Sequence, residues 1–302
     1  MKYVVTGAAG FIGSHLAEAL AAAGHQVAGV DAFTDFYDPG LKRENAAGVD
    51  VRELDLADEQ LDLRGVDGVF HLAGQPGVRA SWGPEFDLYV RRNVLATQRV
   101  TEAAAQVGVR LVFASSSSIY GNAERYPTPE DVVPAPISPY GITKLAGEHL
   151  VRAYGSDAVV LRYFTVYGPR QRPDMAFTRL LTALAEGHPF ELFGDGSQTR
   201  GFTYVSDAVS GTIAAMERAP AGAVYNVGGG SEATMLEAIA LAEQVSGRTL
   251  ELVEGPAAAG DARRTAADAA RIRADLGWTP EVGLENGLRA HWEWTAGRVA
   301  AR

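Results

Sequence analysis

The stretch Y-V-V-T-G-A-A-G-F-I-G-S-H-L-A-E-A-L, residues 3–20, decides the fold. An apolar run with β-branched residues reads as a strand. Three glycines (Gly7, Gly10, Gly13) then remove the side chains at its end, and an Ala/Leu-rich segment follows. In that segment Ile12, Leu16, Leu20 and Ala23 recur at helical spacing, and Gly24 stands where a helix C-terminus favours glycine. Strand, side-chain-free turn and helix together form a place where a ligand can approach the backbone closely. The same glycines would also suit a turn that is merely tight.

Composition narrows the function classes. With 302 residues, 47% of them hydrophobic and 21% charged, the chain can bury a large core. A formal net charge of -10 argues against a nucleic-acid partner, which calls for a basic face. The chain has no cysteine, so disulfides, thiolate metal sites and cysteine nucleophiles are excluded. Its six histidines show no HxxH or HExxH spacing, and no metal site is expected. A strand-like run from Tyr3 leaves no room for a signal peptide, and no stretch reaches the roughly 18 uncharged apolar residues of a membrane span. The expectation is a cytoplasmic protein without membrane contact.

Further strand-like runs at Gln26–Asp31, Val69–Leu72, Arg110–Ser115 and Ala158–Tyr163 alternate with helix-like segments. Apolar strands separated by helices predict an α/β fold with a Rossmann-type, doubly wound parallel sheet. After about residue 165 the rhythm breaks into Pro/Gly-punctuated pieces, followed by a helix-like Ser206–Ala219 and a strand Val224–Val227. Pro256–Ala270 reads as loop and solvated helix face. The expected division is a dinucleotide-binding unit, 1–164 with 201–227, and a smaller, largely C-terminal lobe, 165–200 with 228–302.

The glycines gain meaning from their context. In GxxGxxG, small residues let backbone N–H groups and a helix N-terminus meet a pyrophosphate, and the last glycine lets helix and strand pack closely. Asp31 ends the second strand 24 residues after Gly7, where a carboxylate accepts from the adenosine ribose hydroxyls. It would repel a 2′-phosphate, and Ala32 and Phe33 supply no cation to receive one. The reading is NAD rather than NADP.

Chemistry enters with F-A-S-S-S-S-I-Y-G (113–121) and Y-G-I-T-K (140–144). A YxxxK on a helix puts Tyr140 and Lys144 on one face, one turn apart. With 11 tyrosines and only three lysines in the chain, chance supplies about 0.1 such pairs. A neighbouring ammonium and a cationic nicotinamide would both favour the phenolate, making Tyr140 a base near working pH. A serine hydroxyl at the end of the preceding strand would relay a proton.

These motifs resemble the extended short-chain dehydrogenases/reductases, and among them the nucleotide-sugar epimerases, over nearly the whole chain. The resemblance rests on TGAAGFIGSHL, DLAD (55–58), HLAGQPGVR (71–79), NV (93–94), SSSSIYG, YGITK, RYFTVYGPRQRPDMA (162–176), GDGSQTRGFTYVSD (194–207) and GD…ADLGWTP (260–280). It implies cofactor contacts at Gly7, Gly10, Phe11, Ile12, Gly13, Asp31, Asp55, Leu56, Leu72, Ala73, Gly74, Asn93, Tyr140, Lys144 and Tyr163. It implies catalytic roles for Ser116, Ser117, Tyr140 and Lys144. The substrate side it implies is Gly77, Val78, Arg79, Ser116, Ser117, Asn93, Thr165, Arg172, Arg200 and Asp261. Many relatives carry an arginine where Ala258 stands, so one diphosphate contact is either missing here or supplied by Arg263 or Arg264.

Related 4,6-dehydratases place an Asp-Glu pair just before the YG, and decarboxylating relatives a Glu two residues before that tyrosine. Ser117 and Ser118 occupy those positions, so epimerisation at C4 is the implied reaction. The segment TVYGPRQRPDMA resembles UDP-glucuronate 4-epimerases, with Arg172 facing a carboxylate or, alternatively, serving the diphosphate or a surface ion pair. UDP-glucose is the second candidate substrate, and a dinucleotide-sensing scaffold is the non-enzymatic alternative. The family resemblance further implies a homodimer through helices near Asn93–Val107 and Tyr140–Tyr154.

Overall fold

In the computed structural model, which describes residues 1–155, 157–256 and 262–301, β1 (Lys2–Thr6) lies in the interior of a seven-stranded sheet. The chain moves outward from it through β2 (Gln26–Asp31) and β3 (Val51–Glu53). It then returns to the other side of β1 for β4 (Gly68–His71), β5 (Arg110–Ser116), β6 (Ala158–Tyr163) and finally Val224–Val227. Every pairing in this sheet is parallel. The order therefore reverses between β1 and β4, which opens a crevice at their C-terminal ends.

Helix α1 (Phe11–Ala22) buries Phe11, Leu16, Ala17 and Leu20, and packs with Val205–Arg218 and Ala270–Leu276 on one face of the sheet. The expected stripe is rotated: Ile12 is half-buried and Ala23 exposed, because Phe11 and Ala17 join the core side. Gly24, at φ +84°, ends the helix as expected. Its N–H donates to Ala21 O at 2.9 Å, and His25 N–H to Leu20 O at 3.1 Å. On the opposite face, Ala96–Val107 and Pro139–Ala153 contribute Ala96, Val100, Ala104 and Val151 to a second core.

A separate apolar cluster, including Tyr167, Phe177, Leu180, Phe202 and Leu288, sits under a smaller sheet built around Thr199–Tyr204. That strand pairs with Thr165–Tyr167, Ser231–Thr234 and Arg264–Thr265. It straddles the expected division at 200/201, since all of it belongs to the smaller sheet. The strand Arg264–Thr265 lies within the stretch expected to be loop, because its backbone completes the edge left open by Thr199–Arg200.

Two histidines are sealed inside this fold. His71 stands between the hydroxyls of Thr6 (2.8 Å) and Thr97 (3.1 Å), and His291 packs under the helix Ala176–Glu186 with Nδ1 unpartnered. Burial holds both down to about 3. Between pH 6.5 and 3 the unfolded chain therefore binds protons that the folded chain refuses, so stability falls as pH falls. From pH 7 to 5 each histidine contributes a loss of ~2 kcal/mol. Urea titrations of His291→Leu should show a pH dependence shallower than wild type by about that amount. Parallel profiles would mean that His291 takes up its proton equally in both states.

Candidate active site

The crevice at the β1/β4 reversal opens into a cleft of about 890 Å³. Its floor is free of side chains for steric reasons. Gly7, at φ +71°, adopts a conformation that L side chains rarely take, and a Cβ there would lie 2.8 Å from Ala73 N. A Cβ on Gly13 would lie 2.0 Å from Gly7 O, so the helix could not pack where it does. Gly10 caps α1 without any side-chain hydrogen bond, and its Cβ position meets only Gly7 O at 3.1 Å. The positive end of α1 thus faces the cleft with backbone N–H groups available to an anion.

Asp31 stands at the rim. Its carboxylate oxygens accept from Ala9 N–H (3.1 Å) and Phe33 N–H (2.8 Å), while burial raises its pKa. Sequence reading missed the cation beside it and a second one over Phe33. The short helix Pro39–Asn45 folds back so that Lys42, buried and bonded to Thr34 O at 2.6 Å, acts on Asp31, and Arg43 covers the Phe33 ring at 4.6 Å.

At the other end, Ser138 caps the helix Pro139–Ala153 by accepting from Gly141 N–H at 3.1 Å. Tyr140 and Lys144 project from this helix into the cleft beside Ser116 and Ser117 of the β5 end. Lys144 Nζ donates to Ala114 O at 3.0 Å, and one turn on, Glu148 accepts from Ser115 Oγ at 2.5 Å. Glu148 also holds the buried Arg162 guanidinium through bonds of 3.0 and 2.8 Å. The helix Pro139–Ala153 and the strands β5 and β6 are thereby locked in register.

Burial pushes the Tyr140 phenol above its ordinary value, with Ser116 and the Arg172 charge pulling the other way. Lys144 stands one turn further along the same helix. Its Nζ sits 6.0 Å from the Tyr140 ring centre, and burial alone holds its ammonium down to about 8. The protein walls therefore favour the neutral phenol, and a cationic ligand is needed to shift the balance.

Most of the expected residues line the cleft: Phe11, Ile12, Asp55, Leu56, Leu72–Gly74, Gly77–Arg79, Tyr163, Thr165, Arg172 and Arg200. Asn93 does not. It is buried behind the wall, where it accepts from Gln75 N–H (2.6 Å) and donates to Gln75 O and Thr143 Oγ1 (3.0 Å each). It props the loop after β4 against the catalytic helix. Arg264 is turned away, paired with Glu232 at 2.7 Å, and Arg263 is not on the wall. Asp261 and Ala258 lie outside the described residues. Phe36, Lys42, Arg92 and Arg179 are wall residues outside every motif, and Gln75 and Asp174 lie within motifs without an expected role.

The NAD dependent epimerase/dehydratase family model matches residues 3–228. The chain belongs to this family. Among its relatives, an uncharacterized UDP-glucose epimerase of Bacillus subtilis is 43% identical over 303 residues, covering 95% of this chain and 96% of the other. UDP-glucuronate 4-epimerase of Thermodesulfobacterium geofontis is 36% identical over 312 residues, covering 97% and 95%. In three dimensions the chain is similar to UDP-glucuronic acid 4-epimerase from Bacillus cereus, solved with UDP-glucuronic acid and NAD. The TM-score is 0.95 and the identity 40%, with 99% of this chain and 100% of that one covered. Among the described residues, the epimerase/dehydratase cleft here fits NAD on three observations: the uncapped α1 N-terminus, the side-chain-free floor and the rim carboxylate of Asp31.

Asp31→Ala should weaken NAD by about 10- to 100-fold, the loss of one or two hydrogen bonds to a charged acceptor. It should also relax discrimination against NADP, because Lys42 and Arg43 stay in place to meet a 2′-phosphate. Dissociation constants for both dinucleotides check this. A variant rejecting NADP as strongly as wild type would place discrimination elsewhere.

Proposed function

We propose that the protein interconverts UDP-glucuronate and UDP-galacturonate by NAD-dependent epimerisation at C4, through a 4-keto sugar. The observation that carries this reading is the convergence of Tyr140, Ser116, Lys144 and Arg172 on one cleft. Similarity to UDP-glucuronate 4-epimerases along almost the entire chain supports it.

Bound NAD would supply the hydride acceptor and donor for C4. Tyr140 takes the C4 hydroxyl proton, aided by its hydrogen bond with Ser116. The Lys144 ammonium, fixed by Ala114 O, adds positive charge at the same end of the cleft. After the keto sugar turns over, Tyr140 returns the proton to the opposite-handed alcohol. The serine stretch supplies no carboxyl group for elimination or decarboxylation: Ser116 Oγ accepts from Ser118 N–H at 3.1 Å, and Ser117 faces the cleft.

In this reading NAD occupies the larger unit, with Asp55 and Leu56 at the adenine, and the sugar nucleotide meets the smaller lobe through Thr165, Arg172 and Arg200. Gly77–Arg79 close the sugar end. UDP-glucose is a second substrate reading, favoured by one observation: Arg172 already carries a carboxylate partner, Asp174. Exposed Leu95 (37%), Val107 (43%) and Ile142 (52%), on the neighbouring helices expected to pair, support a homodimer. A chain without cysteine needs no oxidising compartment, which supports a cytoplasmic setting.

Tyr140→Phe should keep the fold and lower kcat by at least ~10²-fold. Near-normal turnover would remove Tyr140 as the base. Arg172→Ala should lower kcat/KM for UDP-glucuronate by roughly 30- to 1000-fold, while affecting UDP-glucose far less. Arg172→Lys should recover little, because an ammonium cannot form the fork. Resolving the C4 epimers after incubation with each sugar measures all three. Equal losses on both sugars would make Arg172 a diphosphate contact.

A further inference from the structure

Arg172 reaches the cleft with a carboxylate already attached. Its Nε and Nη2 donate to Oδ1 and Oδ2 of Asp174, both at 2.9 Å, a bidentate pair formed across Pro173. Both residues line the cleft wall. The fold holds this arrangement in place. Met175 N–H donates to Arg172 O at 3.1 Å, closing a turn whose second position is Pro173. The loop is moored on α1 by the bond between His15 Nε2 and Pro169 O (2.9 Å) and by the Arg170–Glu18 ion pair (2.8 Å).

A guanidinium has two bidentate edges. Asp174 takes the Nε/Nη2 edge, and the Nη1/Nη2 edge retains hydrogens for another acceptor. The Arg172 side chain is 18% exposed and that of Asp174 42%, so the cation sits deeper in the wall and its counter-charge nearer water. Asp174 therefore has an electrostatic effect beyond holding its partner. A neutral C6 hydroxymethyl meets a guanidinium whose charge is already compensated, and no charge is left unpaired. A C6 carboxylate finds a two-donor edge but also feels a second carboxylate close behind it, which weakens the attraction.

We propose that Asp174 is a specificity-determining residue. It is an internal counter-charge that admits neutral UDP-hexoses to the site alongside UDP-hexuronates and tempers the preference for the acid. The proposal rests on the UDP-sugar reading above and adds a substrate class to it. The Asp174 charge and the Arg172 charge must act as a pair, so their effects on the two sugars run in opposite directions.

The test uses full-length holoenzyme: wild type, Asp174→Asn, Arg172→Ala and the double variant Arg172→Ala/Asp174→Ala, each with its melting temperature. kcat/KM is measured for UDP-glucuronate and UDP-glucose. In Asp174→Asn, which keeps the shape and removes the charge, the acid-to-neutral ratio should rise by about tenfold, the scale of one partly buried charge–charge contact. The double variant should handle UDP-glucuronate better than Arg172→Ala, because it removes the orphaned carboxylate. An unchanged ratio overturns the proposal. A falling ratio does so as well, since Asp174 would then only orient Arg172 for the acid. If wild type turns over neither sugar, the functional reading falls and this one with it. Turnover of either sugar with a ratio that does not move refutes the counter-charge role alone.

Discussion

The close approach of two backbones at the end of β1 is the constraint on which the remainder of the molecule depends. Gly13 can tolerate no Cβ because Gly7 O would be 2.0 Å away, and Gly7 can tolerate none because Ala73 N would be 2.8 Å away. These contacts bring α1, β1 and the loop after β4 to one point. That point is where the strand order reverses, so the helix N-terminus opens into a crevice instead of against another strand. Asp31 reaches the rim because β2 runs beside β1 in register, Val30 opposite Thr6.

The chemistry at the far end depends on a different kind of constraint. Tyr140 and Lys144 share a helix face by periodicity, but their distance from Ser116 is fixed by polar contacts made inside the protein. Lys144 to Ala114 O and Ser115 to Glu148 tie the helix to β5, and the Glu148–Arg162 pair ties it to β6. Such a buried pair adds little net stability but is costly to break singly, so it suits positioning better than strengthening. The same enclosure explains why burial, and no neighbouring charge, dominates the titration of both Tyr140 and Lys144.

The loop Gly168–Asp174 connects the two ends. His15 and Glu18 on α1 anchor it, so the helix whose N-terminus opens into the cleft also fixes the loop that carries Arg172. The glycine floor and the wall that carries Arg172 are therefore mechanically one assembly, and Arg172 is paired with a residue only two positions away.

Much of this was legible in the sequence. The β2, β6 and Val224–Val227 boundaries match their apolar runs, since buried parallel strands must be continuously apolar. The glycine spacing, Asp31 and the YxxxK pair were readable because each depends on local geometry of strand end or helix face. What the tertiary structure alone decided is whatever depends on partners distant in the chain or on burial. Asn93 faces inward because Gln75 and Thr143 surround it, Lys42 approaches Asp31 because a short helix folds back, and Thr199–Tyr204 joins the smaller sheet because its three partners lie there. Even Arg172 and Asp174, neighbours across one proline, became a pair only when the turn aimed both side chains at each other. Sequence fixes which groups are present and their local period; the direction in which a side chain points, and the water it loses, are set only by packing.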